Sequence, residues 1–295
     1  MMPARCDVQH LAGNSYTKME NKNKSIDPTS SKLLEKIPGA EPSARIDPWW
    51  GLVFTVILLV IGLVIFKPDP YRRILLFVQD GIGVTIKTTV ISFVLVMVLG
   101  LFGGLGRLAK NKLINGAATI YVEVVRGVPL LVQLLFWYFA FPSVVQGIGT
   151  SLNINVLKTY VADPIGMAVL GLTFCYAAYM SEIYRAGIMS IPKGQMEAAR
   201  SLGMSHIQAM RYIILPQAVR VILPPVGNEF ISLLKDSSLV SVVAVADMTR
   251  RGREFMSANF IPVETWMMIA LLYLVMTLFS ARIVSWIEKK AHFER

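Results

Sequence analysis

Charge, cysteine and histidine are scarce in these 295 residues, and each scarcity removes a class of function. Only 16% of the chain is Asp, Glu, Lys or Arg against 54% hydrophobic residues, and the mean hydropathy of +0.55 lies far from the balance of a soluble domain. The two cysteines, Cys6 in a polar tail and Cys175 inside an apolar block, have no Cys-x-x-Cys spacing, so neither a zinc ribbon nor a disulfide framework is expected. His10, His206 and His292 are isolated, and no His-Glu-x-x-His run or nucleophile and base set accompanies them. No metal site and no catalytic residue are therefore expected. The Gly-x-x-x-x-Gly-Lys-Ser/Thr order of a phosphate loop is missing throughout, so the chain is not expected to hydrolyse ATP by itself. The net charge of +10 does not point to nucleic acid, because Lys and Arg sit at the edges of apolar blocks rather than on an aromatic-interleaved basic face.

What the chain has in quantity is apolar blocks near the roughly 20 residues that a hydrocarbon core of about 30 Å demands of a helix. Six spans are predicted, at 49–66, 82–105, 116–140, 164–187, 218–245 and 263–286, all helical because a segment in lipid must satisfy its own backbone. The expected architecture is an all-α polytopic membrane protein. Residues 1–46 read as a disordered cytoplasmic tail, 47–80 as an anchor helix with a linker, 81–290 as the transmembrane domain and 291–295 as a C-terminal tail. Trp49-Trp50 suits a membrane interface at the start of the anchor. Short-loop basic residues (Arg107, Lys110 and Lys112; Arg185, Lys193, Arg200, Arg211 and Arg220; Lys289, Lys290 and Arg295) put both termini in the cytoplasm. Arg250, Arg251 and Arg253 are the exception, since alternation places them outside.

Gly100, Gly103, Gly104 and Gly106 would let neighbouring helices approach closely where lipid supplies no hydrophobic drive. Ionisable groups at membrane depth cost about 2.5–3.5 kcal/mol each on insertion scales, so each needs a partner or a task. Glu123 with Arg126, and Glu182 with Arg185, are spaced i,i+3 as self-neutralising pairs, with direct substrate contact as the alternative. Glu229 and Asp236 fall within about 20° of each other around one helix, flanked by Ser232 and Leu233 and preceded by Asn228. That acidic face reads either as a substrate path or as a polar seam between subunits. Pro224-Pro225 is expected to bend the entry to this helix, and Pro129 to interrupt the third span and free carbonyls toward a cavity.

Residues 188–216 form a charged segment between spans. Within it Gly203 is placed to end one short helix, and Ser205 to cap a second that carries Ile207, Met210 and Ile213 or Ile214 on one side. The spaced elements Glu197-Ala198-Ala199, Gly203, Ile213, Leu215 and Pro216 resemble the EAA motif of the integral-membrane subunits of ATP-binding-cassette importers. Gly83-Val84-Thr85-Ile86 and the stretches VEVVRGVP (122–129), AYMSEIYRAG (178–187) and GNEFISLLKDSS (227–238) are similar to its polar amino-acid branch. The resemblance implies a type I permease core of five helices, here with an extra N-terminal helix, in the bacterial cytoplasmic membrane. It implies a nucleotide-binding ATPase subunit docked on the 188–216 loop, with ATP and Mg held by that partner and no cofactor on this chain. It further implies a second permease chain, identical or paralogous, an extracytoplasmic solute-binding protein and a polar amino acid as substrate. Membrane lipid completes the expected surroundings. The rival reading is a secondary transporter or channel driven by an ion gradient through Glu229 and Asp236.

Overall fold

Apolar runs bounded by proline set the first two helices. α1 (Pro48–Phe66) stops before Lys67-Pro68, and α2 (Pro68–Leu108) begins with proline in its first turn, where a missing N–H costs nothing. The computed structural model describes residues 48–293, and no strand occurs among them. The tail expected over 1–46 lies outside the described residues. Past the non-helical backbone of Asp69, α2 runs from Pro70 to Leu108, about 58 Å at 1.5 Å per residue and nearly twice a bilayer's hydrocarbon thickness. The span expected at 82–105 is thus one part of a longer rod, and residues 70–80 are helix rather than linker. The N-terminal third of α2 buries Tyr71, Ile74 and Val78 against Met248, Phe255, Met268 and Ile269.

α7 (Pro164–Met189) is the central element. Asp163 caps its first turn, its carboxylate accepting from Gly166 N at 2.6 Å. Ala168, Leu172, Cys175, Tyr176 and Met180 are buried in the main core. α2 packs along α7 at the expected glycines: a Cβ on Gly100 would lie 2.6 Å from Met180 Cβ, and one on Gly104 would lie 2.9 Å from Ser181 O. Absence of side chains there brings the two backbones together, as the glycine spacing predicted.

The span expected at 116–140 is broken. α3 (Lys112–Gly127) ends at Val128, whose extended backbone follows from the ring of Pro129, and α4 (Leu130–Leu135) starts after it. The freed carbonyls are satisfied within the protein, where the Gln133 side-chain amide donates to Val125 O at 2.8 Å and to Val128 O at 2.9 Å. The apolar crossing segment is consequently displaced to Leu130–Ser151, through a π-helical turn (Phe136–Ala140) into α5 (Phe141–Ser151). α6 (Asn155–Lys158) is a single turn before α7.

That π turn recurs at Met210–Ile214, and both precede a proline. Phe141 N donates to Phe136 O just before Pro142, and Leu215 N to Met210 O just before Pro216. A proline ring clashes with the carbonyl four residues back, and one extra residue in the turn moves that carbonyl aside without ending the helix.

α8 (Lys193–Ser201) and α9 (His206–Ala209) precede the second π turn, which runs into α10 (Leu215–Asp236). Pro224 and Pro225 lie inside α10 rather than at its entry. The span expected at 218–245 ends as α-helix at Asp236, gives way to a 3-10 segment (Ser237–Val243), and terminates at left-handed Ala244, φ 63°. Five helices among the described residues are long and apolar enough to cross a membrane. α10 is not one of them, because Arg220, Asn228, Glu229, Lys235 and Asp236 lower its hydropathy. α11 (Met248–Asn259) and α12 (Pro262–Phe293) complete the chain, so helix continues through the expected 291–295 tail as far as residue 293.

Candidate functional site

Two constructions stand out, one before the start of α10 and one along its middle. The first is the knob of α8 and α9. Gly203 takes φ +85°, which lets Met204 N reach Ala199 O at 3.2 Å and Gly203 N reach Arg200 O at 3.0 Å, the paired closure of a Schellman end. Two residues on, Ser205 Oγ accepts from Gln208 N at 3.3 Å while Ser205 N donates to Gln208 Oε1 at 2.8 Å. This reciprocal capping box starts α9. Ala199 and Ala209 are buried inside the knob, whereas Glu197, Ala198, Gly203, Leu215 and Pro216 are exposed and Ile213 is half-buried. Ile207 was expected to share a face with Met210 and with Ile213 or Ile214. Ile207 is 77% exposed, Met210 and Ile213 are half-buried and Ile214 is buried, because the π turn adds a residue and rotates the later face away. Leu202, 85% exposed on the turn itself, joins Ile207 as a protruding apolar contact that the motif alone did not single out.

The second construction is a charged cavity of 410 Å³ between α3, α7 and α10, whose lining includes Arg126, Tyr179, Glu182, Pro225 and Glu229. α3 delivers Arg126 at its last turn, where the Pro129 break ends the helix. The guanidinium stands 5.2 Å from the Tyr179 ring centroid, a cation–π contact, and is not held by Glu123 as the i,i+3 spacing suggested. Glu123 instead accepts from Arg107 at 3.3 Å. The same Arg107 donates to Glu182 at 2.6 Å, and Glu182 also accepts from Arg185 Nε at 2.9 Å, so the second expected pair forms and is enlarged. Arg107, at the end of α2, therefore ties α3 and α7 together. Its role was invisible locally, since its partners lie 16 and 75 residues away.

Glu229 faces the cavity, but Asp236 does not line it. The Tyr176 hydroxyl donates to Asp236 Oδ2 at 2.6 Å, and the Tyr176 and Tyr179 rings lie 6.1 Å apart, so the acidic face of α10 runs along a tyrosine ladder of α7. Leu233 is fully buried in the core and lines nothing, Ser232 is half-buried, and Asn228 is exposed away from the cavity lining. No cluster that could hold a metal ion occurs among the described residues.

The basic loop has its own account. Arg251 donates to Asp80 at 2.6 Å and to Glu254 at 3.0 Å, and Arg250 to Glu254 at 3.0 Å, so two of its three arginines are paired within the fold. The Arg250 guanidinium, helped by Arg251, holds the Glu254 carboxyl below the usual carboxylate range. Asp247 is fully buried and caps α11 by accepting from Arg250 N at 2.9 Å; burial raises its pKa against the pull of those hydrogen bonds.

Residues 96–292 match the family described as "Binding-protein-dependent transport system inner membrane component". The chain is 36% identical over 211 residues to the glutamine transport system permease protein GlnP of Escherichia coli (strain K12), covering 72% of this chain and 91% of that one. It is 39% identical over 277 residues to the arginine transport system permease protein ArgU of Corynebacterium glutamicum, covering 91% and 87%. The fold superposes on a crystal structure of an amino acid ABC transporter with histidines at TM-score 0.64 and 36% identity, covering 78% of this chain and 97% of that one. A chain of the MetNI methionine ABC transporter, 18% identical, shares the fold at TM-score 0.59, with 74% of this chain and 97% of that one covered.

Proposed function

Because the chain belongs to the family of binding-protein-dependent transport system inner membrane components, we propose that it is the permease subunit of an ATP-driven importer that moves polar amino acids by alternating access. The knob of α8 and α9 seats in a groove of a separate nucleotide-binding ATPase subunit, which holds ATP and Mg and performs the hydrolysis. Two permease chains, identical or paralogous, enclose the pathway, and a solute-binding protein delivers the amino acid on the extracytoplasmic side. The protein sits in the bacterial inner membrane with both termini cytoplasmic. Pairing of Arg250 and Arg251 with Glu254 and Asp80 supports that orientation, since it accounts for most of the basic charge left outside.

The observation that carries the reading is continuity. From His206 through the π turn to Asp236 the chain is one uninterrupted helical stretch, with the docking surface at one end and Glu229 in the charged cavity along it. ATP can drive transport only to the extent that it favours one arrangement of this stretch over another, so a stiff connection is what the mechanism needs. In the cavity Glu182 is already held by two arginines, which leaves Arg126 and Glu229 as the groups placed to meet the carboxylate and ammonium of an amino acid.

The test is reconstitution in proteoliposomes with and without the ATPase subunit and the binding protein. Amino-acid uptake is expected only with both partners and ATP. Full-rate uptake by the chain alone under an ion gradient would replace this reading with that of a secondary transporter.

A further inference from the structure

A second cavity, of 310 Å³, lies between α2, α10 and α12 and is lined by Phe93, Met97, Gly227, Phe230, Ile283 and Val284 among others, with Glu288 at one end. On α10 the charged cavity takes Val221, Pro225 and Glu229, whereas this groove takes Leu223, Val226, Gly227 and Phe230. At 100° per residue the two sets are centred about 150° apart, on opposite sides of the same helix. If the charged side faces the pathway between two permease chains, the apolar side faces away from it and into the bilayer. That step rests on the importer reading above.

We propose that this groove is a binding site for one acyl chain of an aminophospholipid from the cytoplasmic leaflet. Its lining is apolar along the depth of the spans, and no other solvent reaches such a surface there. At the rim, Glu288 on the last turns of α12 lines the end of the groove, while Lys290 turns to the Trp286 side of the helix. The Glu288 carboxylate complements the ammonium of the headgroup. The contact that closes the groove's floor is tight, since a Cβ on Gly227 would lie 2.1 Å from Val284 Cγ1. α10 is thus the partition between a charged, water-accessible space and a lipid-filled one.

The assembled transporter, permease with its ATPase subunit, is reconstituted in phosphatidylethanolamine and phosphatidylglycerol vesicles containing phosphatidylethanolamine with an acyl-chain diazirine, then illuminated and mapped by mass spectrometry. Label is expected at Met97, Phe230 and Ile283 as strongly as at Leu58 and Ile61, which are exposed on α1. Ser280→Phe, which fills the groove, should cut labelling there about threefold and leave α1 unchanged. Should that variant fail to assemble, Ile287→Phe at the open end of the groove takes its place. An unlabelled groove beside a labelled α1 overturns the proposal, as does thiol cross-linking of Met97→Cys between two copies with the groove unlabelled, which would make a second chain the occupant. Labelling is read whether or not the complex transports. A labelled groove without ATP-driven uptake refutes only the importer reading, and an active importer with an unlabelled groove refutes only the lipid site.

Discussion

The knob of α8 and α9 and the charged cavity are joined by α10 but are built by different rules. Every closure in the knob spans five residues or fewer: Gly203 ends α8, Ser205 and Gln208 start α9, and Pro216 follows its own π turn. The cavity and its supporting ion pairs draw on α2, α3, α7 and α10, and their decisive contact, Arg107 to Glu182, spans 75 residues. A local device can keep its shape while a partner pushes on it. An assembled one changes shape whenever the helices that supply it shift, which suits a surface that must open and close.

The sharpest break is Gly203→Asp. Nothing within the chain lies within 4 Å of where its Cβ would sit, so the side chain meets no neighbour in the turn; the cost comes from φ +85° and from whatever groove receives the knob. The variant should insert and fold, yet lose ATP-driven uptake by about tenfold or more, equivalent to 1.4 kcal/mol of coupling. Normal uptake together with co-purification of the ATPase subunit would refute the docking role.

Next in size is Glu229→Gln, which alters the cavity and spares the knob. Assembly should be intact and maximal uptake lower by up to about tenfold. Substrate-stimulated ATPase unchanged in both affinity and maximum would remove Glu229 from the pathway.

Gln133→Leu strips the amide from the buried carbonyls of Val125 and Val128 at the break between α3 and α4. A loss of about 1–3 kcal/mol of stability is expected, read as a lower melting temperature in detergent, with ATPase docking unaffected.

Smallest is Glu254→Gln, outside both regions. Because the folded carboxyl titrates below its ordinary value of 4.5, its contribution is complete above that value and disappears as pH falls through the lowered one. Amide exchange across α11 should therefore speed up on acidification in the parent and lose that component in the variant. An identical pH response in the two would detach the ion cluster from the stability of α11.

This division also explains what could be read in advance. Gly203, Ser205 and the Glu197-Ala198-Ala199 run are local signals, and the helix ends they encode formed where expected. The bounds of the spans were read less well, because hydropathy does not distinguish a span from one interrupted at Pro129, and because α10 ends as α-helix at Asp236 where a longer span was expected. Glu123 was paired with Arg126 on spacing alone; the helix geometry allowed it, but Arg107 from α2 is the partner that forms. Neither π turn has a composition signal beyond the proline that follows it, and the shift that exposes Ile207 was correspondingly hidden.

The length of α2 has a mechanical meaning. Asp80, about a third of the way along, is held by Arg251, and Arg107 at the far end by Glu182 and Glu123. These anchors are 27 positions apart in the sequence, about 40 Å along an unbroken helix, so a tilt of about 5° at one would carry the other sideways by roughly 3.5 Å. That displacement exceeds the reach of either ion pair. The rod therefore works as a strut pinned at two points, and whatever loosens one pin decides whether the other can let go.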